Sequence, residues 1–77
     1  MEALKTKMTF YDGHSDKIYI AKIEPKEDGW MCVCNYGKYP YANNVTHKTR
    51  IPVGYHEAKE AYDKVIRQKL AKGYVVS

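Results

Sequence analysis

Cysteine is scarce here, with two residues at Cys32 and Cys34, and a single C-x-C pair supplies no disulfide framework to hold a small chain together. Apolar runs are short, none approaching the ~18 residues that a membrane-spanning helix needs. The opening "MEALKTKMTF" lacks the basic, apolar and small-residue order of a signal peptide, so a cytoplasmic, intracellular protein with reduced thiols is expected. Phosphate-cradling loops of the G-x-x-x-x-G-K and G-x-G-x-x-G types are missing as well. Repeats, linkers and low-complexity segments are absent, which leaves residues 1–77 as a single domain.

A domain of this size buries only roughly 60% of its unfolded surface, so there is little room for a deep active site. Hydrophobic residues nevertheless make up 44% and charged residues 29%, the balance of a folded globular chain rather than a disordered tail. The formal charge of +4, with a pI of about 9.1, favours anionic partners modestly.

Period decides the elements. "LKTKMTFY" sets Leu4, Thr6, Met8 and Phe10 against Lys5, Lys7, Thr9 and Tyr11, the alternation of a strand with one buried face. The turn "DGHSD" leads into a second β-rich run, "KIYIAKIE", and the breaker "PKEDG" into a third, "WMCVCNYG". After "KYPYANN", residues 45–53 alternate again, with Val45, His47, Thr49, Ile51 and Val53 on one face and Lys48 and Arg50 on the other. From His56 to Lys72 the period becomes helical, through Ala58, Ala61, Tyr62, Val65, Ile66 and Leu70, and Gly73 marks the end. The tail "YVVS" adds a last strand or docks on the sheet. The expected fold is α+β: an antiparallel meander of four or five strands with one C-terminal amphipathic α-helix packed on it.

Three chemistries compete for these residues. Cys32 and Cys34 would share a strand face, and His47 is the one further ligand strand position suggests; a structural zinc site wants four, so no metal site is expected. Buried thiols in a strand are the ordinary alternative. His14, His47 and His56 fall in a turn, a strand and a helix start, with no nucleophile in a recognised setting, so neither catalytic residues nor a cofactor are expected. On the helix, Glu60 with Lys64 and Asp63 with Arg67 have i,i+4 spacing and read as a solvated face. The segment "YGKYPY" is the better lead: Tyr36, Tyr39 and Tyr41 surround Lys38, and Lys48 and Arg50 add cations nearby. Rings that stack on bases or sugars and cations that meet phosphates make a sequence-tolerant nucleic-acid surface. Half-buried packing tyrosines are the plainer reading of the same residues.

The order of motifs, "DKIYIAKIEP", a glycine turn, "WMCVCNYGK", a basic strand and then "HEAKEAYDKVIRQKLAKGY", resembles the WGR domain, the module named for its Trp-Gly-Arg signature. That module occurs in poly(ADP-ribose) polymerases and in many short or multidomain bacterial proteins. The resemblance runs from about Asp16 to Tyr74 and sets Tyr36-Gly37-Lys38 on the signature, with tyrosine in place of tryptophan and lysine in place of arginine. It implies binding at DNA ends or strand breaks: Tyr36 packing on a terminal nucleotide, Gly37 admitting the backbone and Lys38 meeting phosphate. DNA is implied over RNA, without catalysis or a small-molecule substrate. A WGR-like protein–protein interaction module is the alternative, and neither reading involves a membrane.

Overall fold

The computed structural model describes all of residues 1–77. Strands β1 (Leu4–Tyr11), β2 (Asp16–Lys26), β3 (Gly29–Lys38), β4 (Asn44–His47) and β5 (Val75–Val76) form one sheet, and a single helix, α1 (Tyr55–Ala71), lies between β4 and β5 in sequence. The sheet order is β4-β3-β2-β1-β5, and every pairing is antiparallel. The α+β meander with one C-terminal helix expected from the alternating and helical periods is therefore the fold of the chain. No helix is long and apolar enough to cross a membrane.

Register explains where the core sits. Leu4, Thr6 and Met8 stand opposite Ile23, Ala21 and Tyr19, and these in turn stand opposite Cys32, Cys34 and Tyr36. Directly opposed residues share a face, so one face of the sheet carries Met8, Tyr19, Ala21, Ile23, Cys32 and Cys34. Against it α1 lays Ala58, Tyr62 and Val65, residues at helical spacing, and these nine form the core. Burying a side chain of valine size contributes about 1.5–3 kcal/mol. Three further buried residues, Ile18, Met31 and Val33, belong to the other face and lie outside that cluster.

Local chemistry fixes the joints. Asp12 Oδ1 accepts from the His14 and Ser15 backbone N–H groups at 2.9 and 2.6 Å and closes the β1–β2 turn. Pro25 and Lys26 continue β2 beyond the expected breaker, because β1 pairs no further than Ile23 and the proline has no partner strand to disappoint on that side. At its start α1 has no side-chain cap, and the ring of Tyr55 meets Trp30 edge-on at 4.8 Å instead. At its end the Tyr74 N–H reaches the Lys69 carbonyl and the Gly73 N–H the Leu70 carbonyl, both at 3.1 Å. Gly73 has φ of 104°, which completes a Schellman turn and folds the chain back along the helix.

Two expectations need correction. The fourth strand does not run to Val53: β4 stops at His47, and Val53 returns only as an isolated bridge to Trp30. Between these points Thr49 Oγ1 accepts the Cys32 N–H and Cys32 O accepts the Lys48 N–H. Five residues, 48–52, thus span what two, Met31 and Cys32, span on β3, so the segment bows outward and leaves Ile51 67% exposed. On α1 the i,i+4 contacts are His56 Nε2–Glu60 Oε1 at 3.0 Å and the Lys59–Asp63 ion pair at 2.9 Å; Glu60 and Asp63 turn toward the preceding His56 and Lys59 rather than to Lys64 and Arg67.

Candidate nucleic-acid interface

The helix covers only part of its sheet face. Where α1 ends, the uncovered part becomes an open groove of about 720 Å³. Its floor is built by register: Tyr19 and Tyr36 stand opposite one another on β2 and β3, their rings stacked at 5.9 Å and 21°. Tyr36 is 39% exposed and Tyr19 is buried, so one ring faces the groove while the other supports it. Two residue pairs further along, Lys17 stands opposite Lys38, two like charges side by side on the same face. Asn44 and Thr46 of β4, with Lys48 just beyond it, form one wall, and Tyr74 and Lys69 from the helix end form the other.

Lys69 is placed with care. Its Nζ lies 4.4 Å from the centroid of the Tyr19 ring and 5.4 Å from that of Tyr74, cation–π distances that the Schellman turn makes possible by bringing Tyr74 back over the last helical turn. Burial holds its ammonium below the ordinary lysine range, and the charges of Lys72, Lys48 and Lys17 press in the same direction, with Cys34 opposing them. No carboxylate pairs with Lys17, Lys38, Lys48 or Lys69, since every ion pair of the chain lies elsewhere. Asp16 is the one acidic residue lining the groove.

Of the residues singled out from sequence, Tyr36, Gly37, Lys38 and Lys48 come together here. Tyr39, Tyr41 and Arg50 do not line the groove. The reason lies at Gly37, where an added Cβ would press against the Tyr41 carbonyl oxygen. The loop after β3 crosses directly over the glycine, with Tyr39 N–H bonded to Asp16 O at 2.9 Å, and carries both tyrosines past the groove. The room at Gly37 is thus taken up by the chain's own backbone. Arg50 sits in the outward bow after β4 and is exposed.

Sequence reasoning missed Lys17, Tyr19, Lys69 and Tyr74. Lys69 reads as an ordinary cation in a last helical turn, and only the sheet register and the Gly73 turn bring it over the tyrosines. The thiols lie beneath, not in, the site. Cys32 and Cys34 are both inaccessible, and Cys32 is pushed up by its hydrogen bond to Cys34 and then by burial. His47 stands opposite Val33, so it belongs to the other face of the sheet and cannot join the two sulfurs in one coordination sphere.

The arrangement can hold a flat group on Tyr36 and anionic groups on the surrounding ammoniums. No family model, curated protein or solved structure matches the chain.

Proposed function

We propose that the protein is a non-catalytic nucleic-acid-binding module that takes DNA ends or strand breaks with little sequence specificity. One observation carries this reading: a half-exposed tyrosine, backed by a second ring, lies among lysines that have no carboxylate partners. Stacking on an aromatic is worth about 1–3 kcal/mol per base and tolerates any base, while lysines meet the phosphates on either side. Neither contact reads base edges, hence the lack of specificity. The resemblance to WGR domains supports the same assignment at Tyr36 and Lys38 and favours DNA over RNA.

An NMR titration with a 5′-phosphorylated nicked duplex and an intact duplex, each at low and near-physiological salt, tests the proposal. Shifts centred on Tyr36, Lys38 and Lys48, larger for the nicked duplex, are expected. An absence of shifts at low salt would remove it. A protein-interaction role is the second reading, favoured by apolar and aromatic surface away from the groove: Tyr41 is 69%, Val45 54% and Tyr39 44% exposed. Capture from nuclease-treated lysate separates the two, because partners bridged by nucleic acid disappear on that treatment.

A further inference from the structure

We infer that Lys17, Lys48 and Lys69 form a seat for a phosphate group, beside the Tyr36-Gly37-Lys38 segment in the same groove and drawn from three parts of the chain that only the fold brings together. The inference rests on the nucleic-acid reading for the source of the ligand, but its chemistry stands on the groove itself.

Lysines normally spread over a surface, where each is fully hydrated and has acids nearby. Here the fold gathers three of them at one groove, with Lys48 also bordering the concavity lined by Glu57, Glu60 and Asp63. Lys17 comes from the start of β2, Lys48 from just beyond β4 and Lys69 from the last turn of α1, and all three line the same concavity. Lys69 is partly buried, is fixed over Tyr19 and Tyr74, and feels the charges of both Lys48 and Lys17. Lys17 has a second cation, Lys38, directly across the strand pair and its own Nζ 5.6 Å from the Phe10 ring. Such gathering costs the free protein stability, because like charges held in one partly desolvated site repel. Asp16 is the only carboxylate at the rim and makes no ion pair with any of them.

A ligand with concentrated negative charge reverses the sign of this cost. A phosphate group carries several acceptor oxygens and suits convergent ammonium donors, each able to make a short charge-assisted hydrogen bond. Asn44 and Thr46, on the same wall as Lys48, supply neutral donors beside it. Tyr19 and Tyr74 then act as positioning residues: their ring faces hold the Lys69 ammonium at the groove wall. Two sources share the chemistry, a phosphate of a nucleic-acid strand and a free phosphorylated small molecule.

Inorganic pyrophosphate is the first probe, added to protein carrying 13C-labelled lysine, with the Cε–Hε signals of each lysine followed by NMR. Saturable shifts at Lys17, Lys48 and Lys69, and an upward move of the Lys69 titration in the complex, are expected. Lys69→Met, which keeps an unbranched apolar side chain at this position, should weaken pyrophosphate binding about tenfold or more, the scale of one hydrogen bond to a charged group. Lys48→Met should do likewise, and serves if the first variant does not fold. Lys5→Met, on the opposite sheet face, lowers net charge equally and should leave binding unchanged. An equal loss in the Lys5 variant, or no saturable shift at Lys69, overturns the seat. The nicked duplex gives the second arm. Duplex binding that is insensitive to Lys69→Met, with pyrophosphate silent, overturns the seat and leaves the nucleic-acid reading standing. Pyrophosphate binding that is lost in the Lys69 variant, while no duplex binds, upholds the seat for a free phosphorylated ligand and removes the nucleic-acid reading.

Discussion

Asp12 shows how one carboxylate can close a turn. Its Oδ1 accepts from Ser15 and His14, and those backbone bonds, the Ser15 one first, hold its pKa below the ordinary 3.8. Because the folded value lies below the unfolded one, the unfolded chain takes up the proton first as the solution is acidified. The stabilisation is therefore complete above the unfolded value and is lost as the pH falls through the folded one. Asp12→Ala should lower the melting temperature at pH 7, and the deficit should narrow in melts near pH 2. An equal deficit at both pH values would mean that the turn depends on something other than the ionised carboxylate. The same carboxylate lies one turn from Lys17, so its loss also loosens the strand start that carries a groove cation.

At the scale of elements, Gly37 and the loop that crosses it decide which tyrosines face the groove. A methyl group at this position would press on the Tyr41 carbonyl, backbone that cannot swing aside as a side chain tip can. Gly37→Ala should destabilise the fold by about 1–3 kcal/mol, the usual cost of overpacking, with shifts through residues 39–43 in a 15N–1H spectrum. A neutral result would show that the loop does not press on this position. Sheet and helix were legible in the sequence because their periods differ: Met8, Tyr19 and Cys34 alternate, while Ala58, Tyr62 and Val65 recur every three or four residues. Tyr36 and Lys38 were legible together because they lie close along a short run, and Lys48 from the alternation of the strand that follows. The far end of β4 was not, since Val45 to Val53 keeps a strand's alternation through the bow, and the Thr49 hydroxyl that replaces a ladder bond leaves no mark on the pattern. Nor was Lys69, whose neighbours Tyr19 and Tyr74 come from a strand far along the chain and from a turn that reverses direction.

Over the whole molecule, charge is sorted rather than evenly spread. Lys17, Lys38 and Lys69 gather with Lys48 at one groove, whereas the acids Glu57, Glu60 and Asp63 line a second concavity along the exposed side of α1 with Lys64 and Arg67, and Lys48 borders both. A net charge of +4 therefore understates the potential at the groove and overstates it elsewhere. A polyanion approaching within the Debye length, about 8 Å at physiological salt, meets the groove cations before the net charge matters. Each phosphate neutralised on duplex DNA releases counterions and adds about 0.9 to the slope of log K against log salt concentration. The four groove lysines thus set an upper slope of about 3.6 for contacts made there, a product of that coefficient and their number. Lys38→Ala should lower the measured slope by about 0.9, while Arg50→Ala, outside the groove, should leave it unchanged. Fluorescence anisotropy of a labelled nicked duplex across a salt series measures both. If the Arg50 variant loses as much slope as the Lys38 variant, the phosphates run over the outward bow after β4 and the groove is not where the strand lies.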